Sequence, residues 1–97
     1  MRIWRELLEF EWDAGNTGKS LKKHSVADTE SEEVFFDPEK KLLRDSTHSV
    51  YEGRHILIGQ TRQRRLLFIV FTKRRNKIRI ISSRPLNKKE KHLYEEN

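Results

Sequence analysis

Cysteine is absent from this 97-residue chain, which excludes disulfides, thiolate nucleophiles and Cys-ligated zinc and leaves any catalysis to His, Lys, Arg, Glu, Asp, Tyr or hydroxyls. Stability then comes from packing alone. Long apolar runs are missing as well. None approaches the ~18 residues of a membrane span, and the opening MRIWRELLEFEWD puts acids where a signal peptide carries its apolar stretch. The expectation is a soluble, cytoplasmic protein with no membrane partner. Acid is also lacking from one long region, for no Asp or Glu stands between Glu52 and Glu90. Residues 1–52 hold 8 Lys and Arg against 12 Asp and Glu, a net of −4, whereas residues 53–97 hold 13 against 3, a net of +10. Clustered Lys and Arg attract phosphates and release counterions on binding, so the second half reads as the seat of a polyanion partner; a charged surface kept for solubility is the plain alternative.

So short a chain is one domain, here taken as residues 1–97, with a modest core and room for one site. Mean hydropathy is low, at -0.90, yet Leu, Ile, Phe and Val gather between Leu42 and Ser83, which argues for a folded core rather than disorder. LLEFEWD alternates Leu8, Phe10 and Trp12 with acids, the period of a half-buried strand. Asp13 stands where an N-cap belongs, ahead of a helix over AGNTGKSLKKH in which Gly15 and Gly18 each cost ~1 kcal/mol relative to Ala. ADTESEEVFFDP reads as a second helix, capped by Asp28 or Thr29, rich in acid in its first turn, burying Val34, Phe35 and Phe36 and stopped by Pro38. LLRDST is a weak strand and HSVYEG a turn or loop. Three strands follow, RHILIGQT, LLFIVFTK and KIRIISSR, broken by the basic turns RQRR and RRN and ended at Pro85. Residues 66–71 are apolar on both faces, as in a central strand, and the short turns predict an antiparallel meander. Asn87 and Glu90 form a variant capping box opening a helix through Leu93 and Tyr94, too short to stand unless it docks. The expected class is α+β: an antiparallel sheet of four to five strands, two N-terminal helices and a short C-terminal one.

The four histidines, at 24, 48, 55 and 92, form neither an i,i+4 pair nor an HExxH arrangement, so neither a metal nor a cofactor is expected. His24 follows Lys22 and Lys23. A near-neutral imidazole beside phosphate-binding cations suits removal of a proton from a ribose 2′-OH, while a His that merely satisfies a helix C-terminus is the simpler account. Arg79 and Arg84 differ in parity. In a regular strand they point to opposite faces, and they share one only if a bulge or the strand end near Ser83 turns the chain. Glu90 and Tyr94, four apart, share a helix face within reach of Arg84; either an Arg84–Glu90 pair docks the helix, or Glu90 holds Arg84 for catalysis while Tyr94 stacks on a base or donates its hydroxyl. Lys22, Lys23, Arg62, Arg64, Arg65, Lys73 and Lys88 are the candidate RNA-binding cations. Phe10, Trp12, Phe35, Phe36, Phe68 and Phe71 read as core.

Taken in order, FEWD (10–13), KKH (22–24), EEVFFDP (32–38), RHILIGQT (54–61), LLFIVFT (66–72), IRIISSR (78–84) and NKKEKHLYEE (87–96) resemble the BrnT family of bacterial ribonuclease toxins from type II toxin–antitoxin systems. The resemblance implies a RelE-like fold, RNA cleavage without a metal or cofactor, and a BrnA-like antitoxin that neutralises the toxin and forms a DNA-binding complex with it. It also implies site roles: Lys23 and His24 for the family's Lys-His pair, Arg79 for its strand arginine, Arg84 for its strand-end arginine, Glu90 and Tyr94 for its helix Glu and Tyr. Where the family has Asn before the Lys-His pair and Gly after it, this chain has Ser20 and Ser25. The expected activity is an endoribonuclease with His24, Arg79, Arg84, Glu90 and Tyr94 as its catalytic set. A non-catalytic RNA- or DNA-binding module is the alternative.

Overall fold

The computed structural model describes residues 8–43 and 53–96. In chain order the elements are α1 (Lys19–His24), α2 (Asp28–Val34), β1 (Lys41–Leu43), β2 (Arg54–Gln60), β3 (Leu66–Arg74), β4 (Lys77–Pro85) and α3 (Lys88–Glu95). The four strands form one antiparallel sheet in the order β1-β2-β3-β4, the expected meander. Its β3–β4 turn places Arg75 and Asn76 at φ 50° and 69°, the left-handed pair that matches the twist of a tight hairpin.

β3 is apolar on both faces, as its composition predicts, but only one face is fully buried; Leu66, Phe68 and Val70 on the other are half-buried. Leu67, Ile69 and Phe71 face Val26, Val34, Phe35, Leu57, Ile78 and Ile80 in the main core. Phe35 is central to it, meeting Phe10 at 5.2 Å and Phe71 at 5.1 Å, both edge-on. On the other face Ile58 is wholly buried and α3 packs against β2. The docking of this short helix is polar at its C-terminal end: Lys41 Nζ donates to the Leu93 carbonyl at 2.6 Å and also to that of Glu96, and the Tyr94 hydroxyl donates to Asp37 at 2.7 Å. The expected capping box opens it, with Asn87 Oδ1 accepting from Glu90 N and Glu90 Oε1 accepting from Asn87 N, each at 2.9 Å.

The N-terminal third departs from the sequence reading in three ways, all with side-chain causes. The described part of LLEFEWD, residues 8–13, is no sheet strand; Phe10 makes an isolated parallel bridge to Ile78, after which Asn16 Nδ2 donates to the Glu11 and Ile80 carbonyls at 2.9 Å each. The first helix starts at Lys19, not after Asp13, because Asp13 folds the chain into turns instead. Its carbonyl accepts from Asn16 N and Thr17 N, and its Oδ1 accepts from Gly15 N at 2.7 Å. Gly18 then caps the helix at φ 71°. For the second helix the N-cap is Ala27, whose N–H is taken by Glu30 Oε1 at 2.9 Å. Asp28 turns outward from its helix, and its carboxylate accepts from Gly18 N at 3.0 and 3.2 Å. The strand read in LLRDST is β1 as far as Leu43, its remainder and HSVYEG as far as Glu52 lying outside the described residues.

Candidate active site

The parity of Arg79 and Arg84 is reset by a bulge. Val70 faces Ser82 while Phe71 faces Ile80, so Ile81 is the extra residue of β4. Arg79 then lies opposite Thr72 and Arg84 opposite Phe68. Thr72 and Phe68 are four apart in one strand and share a face, so both arginines stand on the side away from the main core.

Sharing a face does not make them a pair. Arg79 is bound by Asp13 at 2.9 and 3.0 Å and by Glu11 at 3.2 Å, with 16% of its side chain exposed. The Arg79 guanidinium holds the Asp13 carboxyl below its ordinary range, helped by the Gly15 N–H. Gly15 leaves room for this clamp: a Cβ there would sit 2.7 Å from Arg79 Nη2 and 3.0 Å from Asp13 Oδ1, and the guanidinium would have to shift to admit it. Arg84 makes its own two-pronged pair with Glu90, at 2.9 and 2.8 Å, and lies 3.9 Å over the Phe68 ring. That pairing depresses the Glu90 carboxyl, against the opposing effect of burial.

What joins Arg84 to the Lys-His segment is a set of three serines. Ser83 N–H donates to Ser20 Oγ at 2.8 Å, and the Ser83 and Ser31 hydroxyls bond at 2.6 Å, all three residues being buried. α1 is thereby pinned against β4 just past the bulge. Between them lies an open cleft of about 730 Å³ whose walls include Lys22, Lys23, His24, Ser82 and Arg84. At its edge α1 ends on Ser25 in the left-handed region, φ 59°, a conformation that costs an L-residue about 1–2 kcal/mol and that Gly adopts freely. Arg65 bonds the carbonyls of that turn, Ser25 O at 2.8 Å and His24 O at 3.4 Å, while also meeting Glu30 at 3.1 Å.

The structure therefore brings together Lys22, Lys23, His24 and Arg84, with Glu90 directly behind Arg84. Arg79 and Tyr94 are not among the residues lining this cleft. The Tyr94 hydroxyl faces Asp37, whose Oδ2 also accepts from Gln60 N at 2.8 Å; burial, reinforced by that carboxylate, raises the phenol well above its usual range. Arg62 and Arg64 line a second cleft, where Glu32, Glu33 and Asp37 also stand. Lys73 borders an apolar groove with Phe35, Leu57 and Phe71. Lys88 is exposed on the first turn of α3. Among the described residues no three His, Asp or Glu gather as a metal site requires, and no helix is long and apolar enough to cross a membrane.

Sequence reasoning missed Glu11, Asp13, Ser20, Ser83 and the anchoring role of Arg65. One signal was available for the acids: with none between Glu52 and Glu90, the arginines of β3 and β4 have to find carboxylates at the ends of the chain, and they do.

The stretch from Trp12 to Glu90, which contains the whole cleft, matches the family model described as "Ribonuclease toxin, BrnT, of type II toxin-antitoxin system". The chain belongs to the BrnT family. A solved BrnT structure, the 1.1 Å crystal structure of the Brucella abortus ribonuclease toxin, superposes with a TM-score of 0.62 at 15% identity, covering 84% of this chain and 99% of that one. At that identity the likeness establishes a shared fold, with two N-terminal helices, a four-stranded antiparallel sheet and a short C-terminal helix. No curated protein matches the chain. Membership makes this a ribonuclease toxin of the type II class; the cleft of Lys22, Lys23, His24 and Arg84 is the chain's own candidate site.

Proposed function

We propose that the chain is a metal-independent endoribonuclease that cuts RNA by attack of a 2′-oxygen on the adjacent phosphorus and so inhibits translation. His24 takes the 2′-hydroxyl proton as general base, the new O–P bond closes a 2′,3′-cyclic phosphate, and the 5′-oxygen leaves with a proton from solvent in the open cleft. Arg84, held to one orientation by Glu90, stabilises the charge on the phosphorane oxygens, and a fixed donor is worth more there than a mobile one. Lys22 and Lys23 position the RNA backbone. Arg79 and Tyr94 act at one remove, the first by fixing the Glu11–Asp13 segment and the second by docking α3. The observation that carries the reading is that His24, two lysines and one carboxylate-braced arginine line the same cleft.

Its test is RNA cleavage by the purified protein with and without EDTA, reading the termini formed and comparing Arg84→Ala with Arg64→Ala. Cyclic phosphate ends in both conditions are expected, with turnover down about 100-fold for Arg84→Ala and chiefly affinity lost for Arg64→Ala. RNA bound but uncut, with both variants losing affinity alone, would establish the non-catalytic binding module instead.

The same reading supplies the partners and the place of action. A BrnA-like antitoxin neutralises the toxin by laying acidic side chains over the basic sheet, and the pair binds DNA; both act in the cytoplasm. Growth arrest on expression, relieved by the neighbouring open reading frame, is the expected outcome. Arrest that persists with that neighbour present excludes it as the partner.

A further inference from the structure

We infer that Arg65 is a positioning residue for His24 rather than a phosphate ligand; the inference rests on His24 being the base of the reaction proposed above. Its guanidinium is engaged at both ends, Nη1 on Ser25 O at 2.8 Å and Glu30 at 3.1 Å, Nη2 on His24 O at 3.4 Å. Its backbone is fixed as well, because Arg65 N donates to Thr61 Oγ1 at 3.1 Å and Arg65 O accepts from Thr61 N at 2.9 Å. One side chain from the β2–β3 turn thus holds the two successive peptide carbonyls, of His24 and Ser25, that flank the Ser25 Cα. The restraint is needed because Ser25 lies at φ 59°, where no glycine relieves the strain. Glu30, on the far side, also caps the next helix through Ala27 N, so the cation, the helix end and the helix start share one node. Among the described residues nothing comparable restrains Arg62, whose backbone N–H donates to Glu33 at 3.0 Å. Misplacing a catalytic group by an ångström can cost about 100-fold in rate with no loss of substrate affinity.

The experiment compares single-turnover cleavage and RNA affinity for wild type, Arg65→Ala, Arg65→Lys, Arg62→Ala, His24→Ala and the double variant Arg65→Ala with Ser25→Gly. Arg65→Ala should slow cleavage by about tenfold or more at saturating RNA with affinity kept within about twofold, and Arg62→Ala should do the reverse. Arg65→Lys, which keeps the charge but not the fork, should fall between. Ser25→Gly should restore part of the rate lost by Arg65→Ala, because it removes the strain the guanidinium restrains. Amide exchange at Ser25 and Val26 should quicken in Arg65→Ala, a readout that needs no activity. An Arg65→Ala protein that binds RNA weakly but cleaves at full rate when saturated overturns the inference, as does a lost rate that Ser25→Gly leaves untouched. If His24→Ala cleaves like wild type, the assignment of His24 falls instead; if His24→Ala is dead and Arg65→Ala is unimpaired, that assignment stands and the positioning role falls.

Discussion

Arg84 and Glu90 are six residues apart in sequence and joined by two parallel N–H···O bonds of 2.9 and 2.8 Å, across the point where β4 ends and α3 begins. Glu90 Oε1 also accepts the Asn87 N–H, so one carboxylate caps the helix and orients the arginine. The guanidinium is held by this carboxylate, by the Pro85 carbonyl, which accepts from Nη1 at 3.1 Å, and from below by the Phe68 ring, so its orientation is fixed. The consequence is that the strength of this site depends on how well a short terminal helix is docked.

That dependence fixes a pH effect. Glu90 binds its proton less readily in the folded protein than its ordinary value of 4.5, chiefly because of Arg84. A carboxyl depressed on folding contributes stability above its unfolded value, and that contribution is lost as the pH falls through the lower folded value. Urea midpoints measured from pH 7 downward should therefore show Glu90→Gln less stable than wild type by about 0.5–1 kcal/mol, the scale of a partly exposed pair, and the gap should close below about pH 4.5. A gap that stayed constant to pH 3 would assign the loss to helix capping rather than to the charge.

A second prediction concerns the residue after the Lys-His pair. Ser25 sits at φ 59° and ψ 34° with its N–H returned to Leu21 O at 3.0 Å. Ser25→Gly keeps that bond and removes the Cβ clash, so it should stabilise the protein by about 1 kcal/mol, net of the entropy glycine adds to the unfolded chain. In a domain of this size that is a rise of about 4–8 °C in Tm, and a fall would show that the serine hydroxyl matters more than the backbone strain.

The contrast between Ser25 and β2–β4 shows what the sequence makes legible. RHILIGQT, LLFIVFTK and KIRIISSR read as strands because each carries enough β-branched and aromatic residues between turn signals, and short turns leave only antiparallel pairing. α3 was legible through Asn87 and Glu90, two residues three apart that satisfy each other. The bulge at Ile81 was not, because KIRIISSR is strand-like at every position and the extra residue is set by how β4 pairs with β3. Nor was the late start of α1. Asp13 and Asn16 are as good at folding a turn as at capping a helix, and the choice between them is made by the Ile80 carbonyl, 64 residues along the chain from Asn16. For the site, the residue types of the cleft could be read, but that Tyr94 turns to Asp37 and Arg79 to Asp13 is decided by packing.

Arg79 provides a test of that division. Its guanidinium is occupied by two carboxylates, and Asp13 in turn holds the turn that precedes α1. Arg79→Ala should lower stability and slow RNA cleavage by much less than Arg84→Ala does. In a double-mutant cycle Arg79→Ala and Asp13→Asn should be non-additive, the second change costing less once the first has removed its partner. Additive losses, with cleavage falling as far as for Arg84→Ala, would place Arg79 on the substrate.

Gly59 carries the last prediction, because it connects the α2 end of the main core to the docking of α3. A Cβ at this position would lie 2.9 Å from Val34 Cγ1 and 3.0 Å from Asp37 Oδ2. Asp37 cannot easily retreat: its two oxygens accept from Glu39 N at 2.9 Å, Gln60 N at 2.8 Å and the Tyr94 hydroxyl at 2.7 Å. Gly59→Ala should cost about 1–3 kcal/mol, the range for overpacking a filled interior. The cost should fall in Tyr94→Phe, which has already released one of the three donors and lets the carboxylate shift. Because Tyr94 docks the helix that carries Glu90, Tyr94→Phe alone should lose about 1 kcal/mol of stability, the scale of one hydrogen bond. It should lower cleavage only in step with the loosening of α3, as read by amide exchange across Lys91–Tyr94. Cleavage abolished in Tyr94→Phe while those amides stay protected would mean that the hydroxyl acts on the RNA itself.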